Sequence, residues 1–388
     1  MTRATRQKSI QPVDRLRVQL DLAGSRWDVG TLVWSQKALR ARFQYDKDFL
    51  GSNLKLSPFR LPPQLQVVEA AWQPFEGLHG LFNDSLPDGW GRRLLDRALQ
   101  SRSVDYRSLT AIDRLAFVGV RGMGALTYLP DNSIQDLSQD RLDLDRLAHE
   151  AAAFDGEHDS TAIDELEAVN GGSAGVRPKA MVGLSKDGKR VIYDDGQPLR
   201  DGYEHWLVKF KASNDSRDIG QVEYAYSLMA QEAGLDMPQT RLLKTRKGGK
   251  YFAVKRFDRG PDGRMHVHTL SGLLNADHAT ASVDYEALLK LTHILTQTKP
   301  DVLEMFRRMV FNVYAQNRDD HAKNHAFIMN ADGAWRPSPA YDLTLSDGLA
   351  GEHNLTVNGQ GKPERRHIMQ AAEGAGIAKG VSEEIIDK

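Results

Sequence analysis

Beyond residue 168 the chain places strands first and helices second, an order that excludes a repeated βαβ fold and predicts an α+β one. Residues 180–184 and 191–193 read as a hairpin across Lys186-Asp187-Gly188, and 205–210 as a third strand. Residues 221–234 follow with Val222, Ala225, Met229 and Ala233 on one helical face. Leu242-Leu243 and residues 251–254 then predict another hairpin. From Asp284 the spacing is helical, notably at Val302, Phe306, Met309, Val310 and Val313. A strand pair, 326–329 and 335–337, turns at Asn330-Ala331-Asp332-Gly333.

The preceding stretch reads as a separate α+β unit. Residues 16–50 alternate loosely (Leu16, Val18, Leu20, then Val29, Leu32, Val33, then Phe43, Tyr45), with Gly24 and Gly30 as breaks, which predicts short antiparallel strands. Ser85-Leu86-Pro87-Asp88-Gly89 opens a helix over 85–100, and another runs near 108–117. Residues 131–167 carry twelve acids against only Arg141 and Arg146, the pattern of a solvated helix and linker. The expected division is therefore 1–135, an acidic linker 136–168, a strand-rich part 169–262 and a helical part 263–388.

Composition narrows the chemistry. The chain has no cysteine, so disulfides, thiolate zinc sites and cysteine nucleophiles are excluded. Its 51 basic and 52 acidic residues leave a net charge of -1, which argues against gripping nucleic acid by bulk charge. The first 20 residues hold five basic side chains against Asp14 and read as a flexible arm. No apolar run reaches the length of a membrane span, and the N-terminus lacks the apolar centre of a secretory signal; the expectation is a soluble cytoplasmic protein with no membrane partner.

The residues that promise chemistry begin at Asn317-Arg318-Asp319-Asp320-His321-Ala322-Lys323-Asn324, a loop leaving a helix near Tyr314 and entering a strand at Ala326. It contains R-D-x-x-x-x-N, the spacing of a phosphoryl-transfer catalytic loop. There a carboxylate, Asp319, orients the proton of an attacking hydroxyl, and an amide oxygen, Asn324, takes a magnesium ion. Asp342 follows 18 residues after Asn324, where a second metal ligand is required. Lys209 ends an apolar strand and can reach phosphates, and Glu223 on the next helix is placed to hold it. Residues 170–183 are glycine-rich: the amides at Gly171, Gly172 and Gly175 can cradle phosphates, and Arg177 and Lys179 add charge. The loop is not a Walker motif, His321 and His325 lack the glutamate of a zinc hydrolase, and Gly119, Gly122 and Gly124 do not form a dinucleotide fingerprint. Each residue alone has a commoner structural use, as a solvated loop, a strand end or a turn; their joint order predicts a phosphoryl-transfer site.

In these motifs the chain resembles the HipA family of toxin–antitoxin serine/threonine kinases. The resemblance runs from about residue 16 to about 360 through Leu86-Pro87-Asp88-Gly89-Trp90, residues 122–126, the glycine loop ending at Lys179, Val208-Lys209-Phe210, Glu223-Tyr224, residues 254–259, Asp319-x-His321-Ala322-Lys323-Asn324 and Tyr341-Asp342. It implies a two-lobed protein-kinase-like fold with an N-terminal subdomain that docks a small helix-turn-helix antitoxin, HipB-like, and reaches operator DNA only through it. It implies ATP and Mg²⁺, with Asp319 as base, Asn324 and Asp342 on metal, Lys209 on the ATP phosphates, Lys179 in the phosphate loop, and Lys255 to Phe257 along the adenine. It implies phosphorylation of an aminoacyl-tRNA synthetase, translation arrest and persistence. The family's autophosphorylated serine falls seven residues before the lysine matched by Lys179; that place is Gly172 here, with Ser173 beside it as the candidate. Only 46 residues follow Asp342, which predicts either a small helical lobe or a shortened C-terminus. A kinase-like module acting chiefly with an antitoxin at DNA, and a small-molecule kinase, remain the alternatives.

Overall fold

The computed structural model describes residues 12–133, 138–154, 160–171 and 175–388. Gly172 and Ser173 lie outside the described residues, as does most of the basic arm. The last residues of that arm are already a strand: β1 (Arg15–Leu22) opens a five-stranded sheet with β2 (Ser25–Ser35), β3 (Arg40–Tyr45), β4 (Val68–Glu69) and β5 (Leu126–Leu129), in the order β4-β3-β2-β1-β5. The alternation read from the sequence is the inward face of this sheet, since Leu16, Val18, Leu20 and Leu22 are all buried. Three helices belong to the same region: α1 (Gly80–Asn83), α2 (Gly89–Ser101) and α3 (Ala111–Val118). Thr110 and Asp113 close a reciprocal capping box that starts α3.

The acidic stretch is more structured than its charge suggested. It contains α4 (Leu144–Ala153) and α5 (Ser160–Asn170), and Leu144, Leu147, Ala151, Leu166 and Val169 pack into a core shared with the next sheet. Acids of this stretch find cations: Arg102 grips Asp164 through two bonds of 2.7 and 2.8 Å, and Arg146 pairs with Glu165, which is itself buried, as is Glu167. The apolar stripe decided the outcome, because burying each of its Leu and Val side chains is worth about 1.5–3 kcal/mol.

The second sheet comprises β6 (Lys179–Ser185), β7 (Val191–Tyr193), β8 (Tyr203–Lys209), β9 (Thr240–Lys244) and β10 (Lys250–Lys255), ordered β7-β6-β8-β10-β9. Period two separates its faces. Ala180, Val182, Leu184, Trp206 and Val208 join the core beneath α4 and α5. Lys179 stands opposite Lys209, which stands opposite Phe252, while Leu207 stands opposite Met181 and Val254. Of this second row, Lys179, Lys209, Leu207, Phe252 and Val254 line the cleft. Helix α6 (Ile219–Glu232) packs on β9 and β10 and delivers Glu223 to that cleft.

The chain then crosses a short hairpin, β11 (Arg259–Gly260) with β12 (Gly263–Arg264), into the helical lobe. There β13 (His266–Thr269), β14 (Ala326–Met329) and β15 (Trp335–Pro337) form a three-stranded sheet, packed with α7 (Leu270–Leu274), α8 (Tyr285–Thr296), α9 (Lys299–Tyr314), α10 (Arg365–Gly374) and α11 (Lys379–Asp387). Strand β13 was not legible as one, because its inward residues are histidines. Both are buried and bonded, His266 to the Leu56 carbonyl at 2.9 Å and His268 to Asp84 at 2.6 Å. Met305 and Met309 lie in the core of this lobe. Among the described residues no helix is long and apolar enough to cross a membrane.

Candidate active site

The loop between α9 and β14 is built on one buried carboxylate. Asp320 is fully buried and accepts from the Tyr285 hydroxyl (2.6 Å), from His353 Nδ1 (2.9 Å) and from the Asn354 and Leu355 amides (2.8 and 3.3 Å). Tyr285 Oη in turn accepts from Asn312 Nδ2 (2.9 Å), whose amide oxygen accepts from Asn317 Nδ2 (3.0 Å). A buried acid so fully bonded is an anchor. Its neighbour Asp319 carries a side chain that is 56% exposed and borders the cleft, with His321 Nε2 at 3.9 Å. Partial burial pushes the Asp319 carboxyl above its ordinary range; His321 opposes the shift, and Asp342 and Asp320 reinforce it.

Asn324 closes the loop by donating its amide nitrogen to the Asp319 carbonyl at 2.7 Å, which leaves the amide oxygen as the atom available to a cation. The Tyr341 hydroxyl donates to the Lys323 carbonyl at 2.5 Å, tying the segment that carries Asp342 to the same loop. Asp342 itself has φ +56°, a left-handed conformation that non-glycine residues seldom adopt and that tends to mark functional positions.

Across the cleft, Lys209 Nζ donates to Glu223 Oε1 at 3.1 Å and to Asp342 Oδ1. Burial opposes the ammonium charge, but the two carboxylates outweigh it and hold Lys209 above the usual lysine range. Lys209 holds Asp342 below the carboxylate range, against the effect of burial and with help from Lys179. Lys179 is shifted down, chiefly by its own burial and also by Lys209, against the pull of Asp342. Gly175 has φ +108°, a left-handed backbone conformation that favours glycine, and it packs against the Lys179 ammonium.

One cavity of about 460 Å³ is lined by Gly175, Lys179, Lys209, Glu223, Lys255, Phe257, Asp319, Asn324 and Asp342. Most residues singled out from the sequence thus meet in one place; Gly171 and Arg177 do not line this cavity, and Gly172 and Ser173 lie outside the described residues. The Phe257 and Tyr341 rings approach to 5.7 Å on the cavity wall, and Lys255 Nζ turns to Glu204 at 2.7 Å. Arg177 does not extend the phosphate loop as free charge: it is held by Asp215 and Glu223, each at 3.1 Å. Asp88, Lys323, His278 and Tyr341 also line the cavity, and none of them had a role readable from the sequence. For Asp88 the available signal was Leu86-Pro87-Asp88-Gly89-Trp90, which reads as a helix start. A second constellation, Ser57 Oγ with His268 Nε2 at 3.0 Å and His268 Nδ1 with Asp84 at 2.6 Å, has the order of a hydrolase triad; Ser57 and His268 are fully buried, so no substrate reaches them.

A strand-rich lobe and a helical lobe facing each other over a lysine–glutamate pair and a D-x-x-x-x-N loop define a kinase-like fold. Residues 171–388 match the family model for the HipA-like C-terminal domain, and residues 20–129 match that for the HipA N-terminal domain. The chain belongs to the HipA family. Among solved structures it resembles HipA of Shewanella oneidensis, seen in a complex of HipA, HipB and operator DNA, with a TM-score of 0.70 and 17% identity over 96% of this chain and 87% of that one. Among curated proteins it is 32% identical over 167 residues to "Putative kinase Y4dM" of Sinorhizobium fredii, covering 39% of this chain and 40% of that protein. It is 28% identical over 190 residues to a Haemophilus influenzae protein named "Putative kinase", covering 43% and 54%. The matches thus span about half or less of those relatives' lengths.

Proposed function

We propose that this chain is an ATP- and Mg²⁺-dependent protein serine/threonine kinase, the toxin of a toxin–antitoxin pair. The observation that carries the proposal is the meeting of Asp319, Asn324, Asp342 and the Lys209–Glu223 pair on one cavity. The donors suit a hard cation: a carboxylate at Asp342 and an amide oxygen at Asn324. Those two residues would hold magnesium, which when bound supplies positive charge to the transferring phosphoryl group. Lys209, kept charged and aimed by Glu223, binds phosphate oxygens. Lys179 and the Gly175 turn line the phosphate path, and Lys255 to Phe257 border the base. Asp319 orients the acceptor hydroxyl and takes up its proton, a task suited by a carboxyl raised toward neutral pH. The anchoring of Asp320 keeps Asp319 from moving with its substrate, so catalysis rests on positioning and charge.

The acceptor class rests on family membership. In this reading residues 1–135 dock a small helix-turn-helix antitoxin, and residues 169–388 carry the kinase. The likeness to a HipA–HipB–DNA complex supports such docking, and the net charge of -1 fits DNA contact made through a basic partner. An aminoacyl-tRNA synthetase is the proposed protein substrate, and Ser173 the proposed autophosphorylation site. The test is γ-labelled ATP and Mg²⁺ added to a cell lysate with the purified chain. A labelled band of synthetase size, absent with Asp319→Asn, is expected; label confined to small molecules would overturn the protein-kinase reading. Mass spectrometry of the labelled chain locates any self-modification.

A further inference from the structure

Asp88 stands at the N-cap position of α2, yet its side chain makes no capping bond to that helix. It reaches into the cleft instead. One oxygen accepts from the backbone amide of Gly175, and the other accepts from Lys323 Nζ at 2.8 Å. The Trp90 amide, two residues further into α2, donates to the Gly175 carbonyl at 3.1 Å. Both backbone groups of Gly175 are therefore held by the start of one helix. The approach is close enough to need glycine on that side too: Gly89 has φ +44°, and a Cβ there would lie 2.9 Å from the Gly175 oxygen.

The second partner, Lys323, lies beside Asn324, and its own carbonyl takes the Tyr341 hydroxyl. Burial opposes the Asp88 charge, but Lys323, the Gly175 amide and Lys179 outweigh it and hold the carboxyl below its ordinary range. A single ionised carboxylate thus links the glycine-rich turn above the cleft to the catalytic loop below it. It comes from a helix outside residues 171–388, the span of the HipA-like C-terminal domain. An ordinary buried ion pair would account for Lys323 alone. It does not account for an N-cap aspartate that abandons its helix, nor for the two bonds to Gly175.

We infer that Asp88 is a positioning residue for phosphoryl transfer: it clasps the glycine-rich turn to the catalytic loop, so that a residue of the N-terminal region completes the kinase site. The inference rests on the kinase reading for its catalytic consequence, while the clasp itself is independent of it. Removing the clasp leaves Lys209, Asp342 and Asn324 in place, so nucleotide still binds; what is lost is the registration of phosphate against hydroxyl. Misplacement on the ångström scale costs about 100-fold in turnover.

The experiment uses the full chain as wild type, Asp88→Ala, Asp88→Asn and Asp96→Asn. Asp96 is a control on the same helix, paired to Arg114 at 2.6 Å away from the cleft. Hydrogen exchange of the Gly175 amide, read by mass spectrometry, should rise about tenfold or more in Asp88→Ala, the value of one charge-assisted hydrogen bond. Asp88→Asn keeps an acceptor for Gly175 but not the charge for Lys323, and should fall between wild type and alanine. Turnover should drop about 100-fold in Asp88→Ala with KM for ATP changed less than about threefold, while Asp96→Asn keeps wild-type turnover. Should Asp88→Ala not fold, the near-isosteric asparagine decides, through its turnover and exchange. Wild-type exchange at Gly175 in the Asp88 variants, or wild-type turnover in both, overturns the inference. Absence of transfer in the wild type itself would sink the kinase reading, and the exchange measurement would still decide the clasp.

Discussion

The two loops that meet across the cleft are held in opposite ways. The loop at 317–324 is anchored within its own lobe, through Asp320, Tyr285, Asn312 and His353. The glycine-rich turn at Gly175 takes its backbone partners from Asp88 and Trp90, in a different part of the chain. One loop is rigid by construction, and the other is as rigid as the helix that grips it. The contrast has a physical basis. In the proposed function the catalytic loop would present fixed oxygens to a cation, whereas the glycine turn would admit and release phosphates.

The largest effect that would break this comparison comes from Asp342. Replacing it by alanine should weaken Mg²⁺-dependent ATP binding about 100-fold or more in calorimetry, because the proposed metal ligand is lost and Lys209 loses a partner. Unchanged binding would remove Asp342 from the metal site. Next comes Asp320→Ala, which strips the anchor from His353 and Tyr285 and should cost about 3–5 kcal/mol in denaturant unfolding. A loss below about 1 kcal/mol would mean that the catalytic loop is not held as described. Glu223→Gln keeps the shape but weakens the hold on Lys209, and should lower kcat/KM about tenfold with little change in Tm.

The pH profile sharpens the difference between the two acids of the cleft. Asp319 must be unprotonated to accept a proton, and its pKa is raised, so turnover should fall as pH drops through a value above that of an ordinary aspartate. Asp342, held low chiefly by Lys209, stays ionised across that window and does not set the limb. The limb should vanish from the residual activity of Asp319→Asn. The smallest effect is on stability. A raised carboxyl pKa means that folding favours the protonated form, a penalty absent below the unfolded value and complete above the folded one. At neutral pH Asp319→Asn should therefore leave Tm unchanged or slightly higher, where Asp320→Ala lowers it.

Much of this was legible along the chain, and the exceptions share a cause. Strand β1 announced itself by alternation because one of its faces is buried, whereas β6 and β8 were legible as short apolar runs. Asp319, Asn324, Asp342, Lys209 and Glu223 were legible because local spacing relates each to an adjoining strand or helix. Asp88 was not, since its partner Lys323 is 235 positions away and no local pattern encodes that distance. The helices at 144–153 and 160–170 were read as a solvated connector because twelve acids masked a narrow apolar stripe. Strand β13 was hidden by His266 and His268, polar residues that are buried only because Leu56, Ser57 and Asp84 wait to bond them.

The central claim is that Asp319 transfers its acceptor's proton in a site that binds nucleotide without its help. The direct measurement is single-turnover transfer from γ-labelled ATP, with ATP affinity measured on the same preparations of wild type and Asp319→Asn. The account predicts equal affinity within about threefold and a loss of transfer of about 1,000-fold or more. Transfer at the wild-type rate by Asp319→Asn would contradict it.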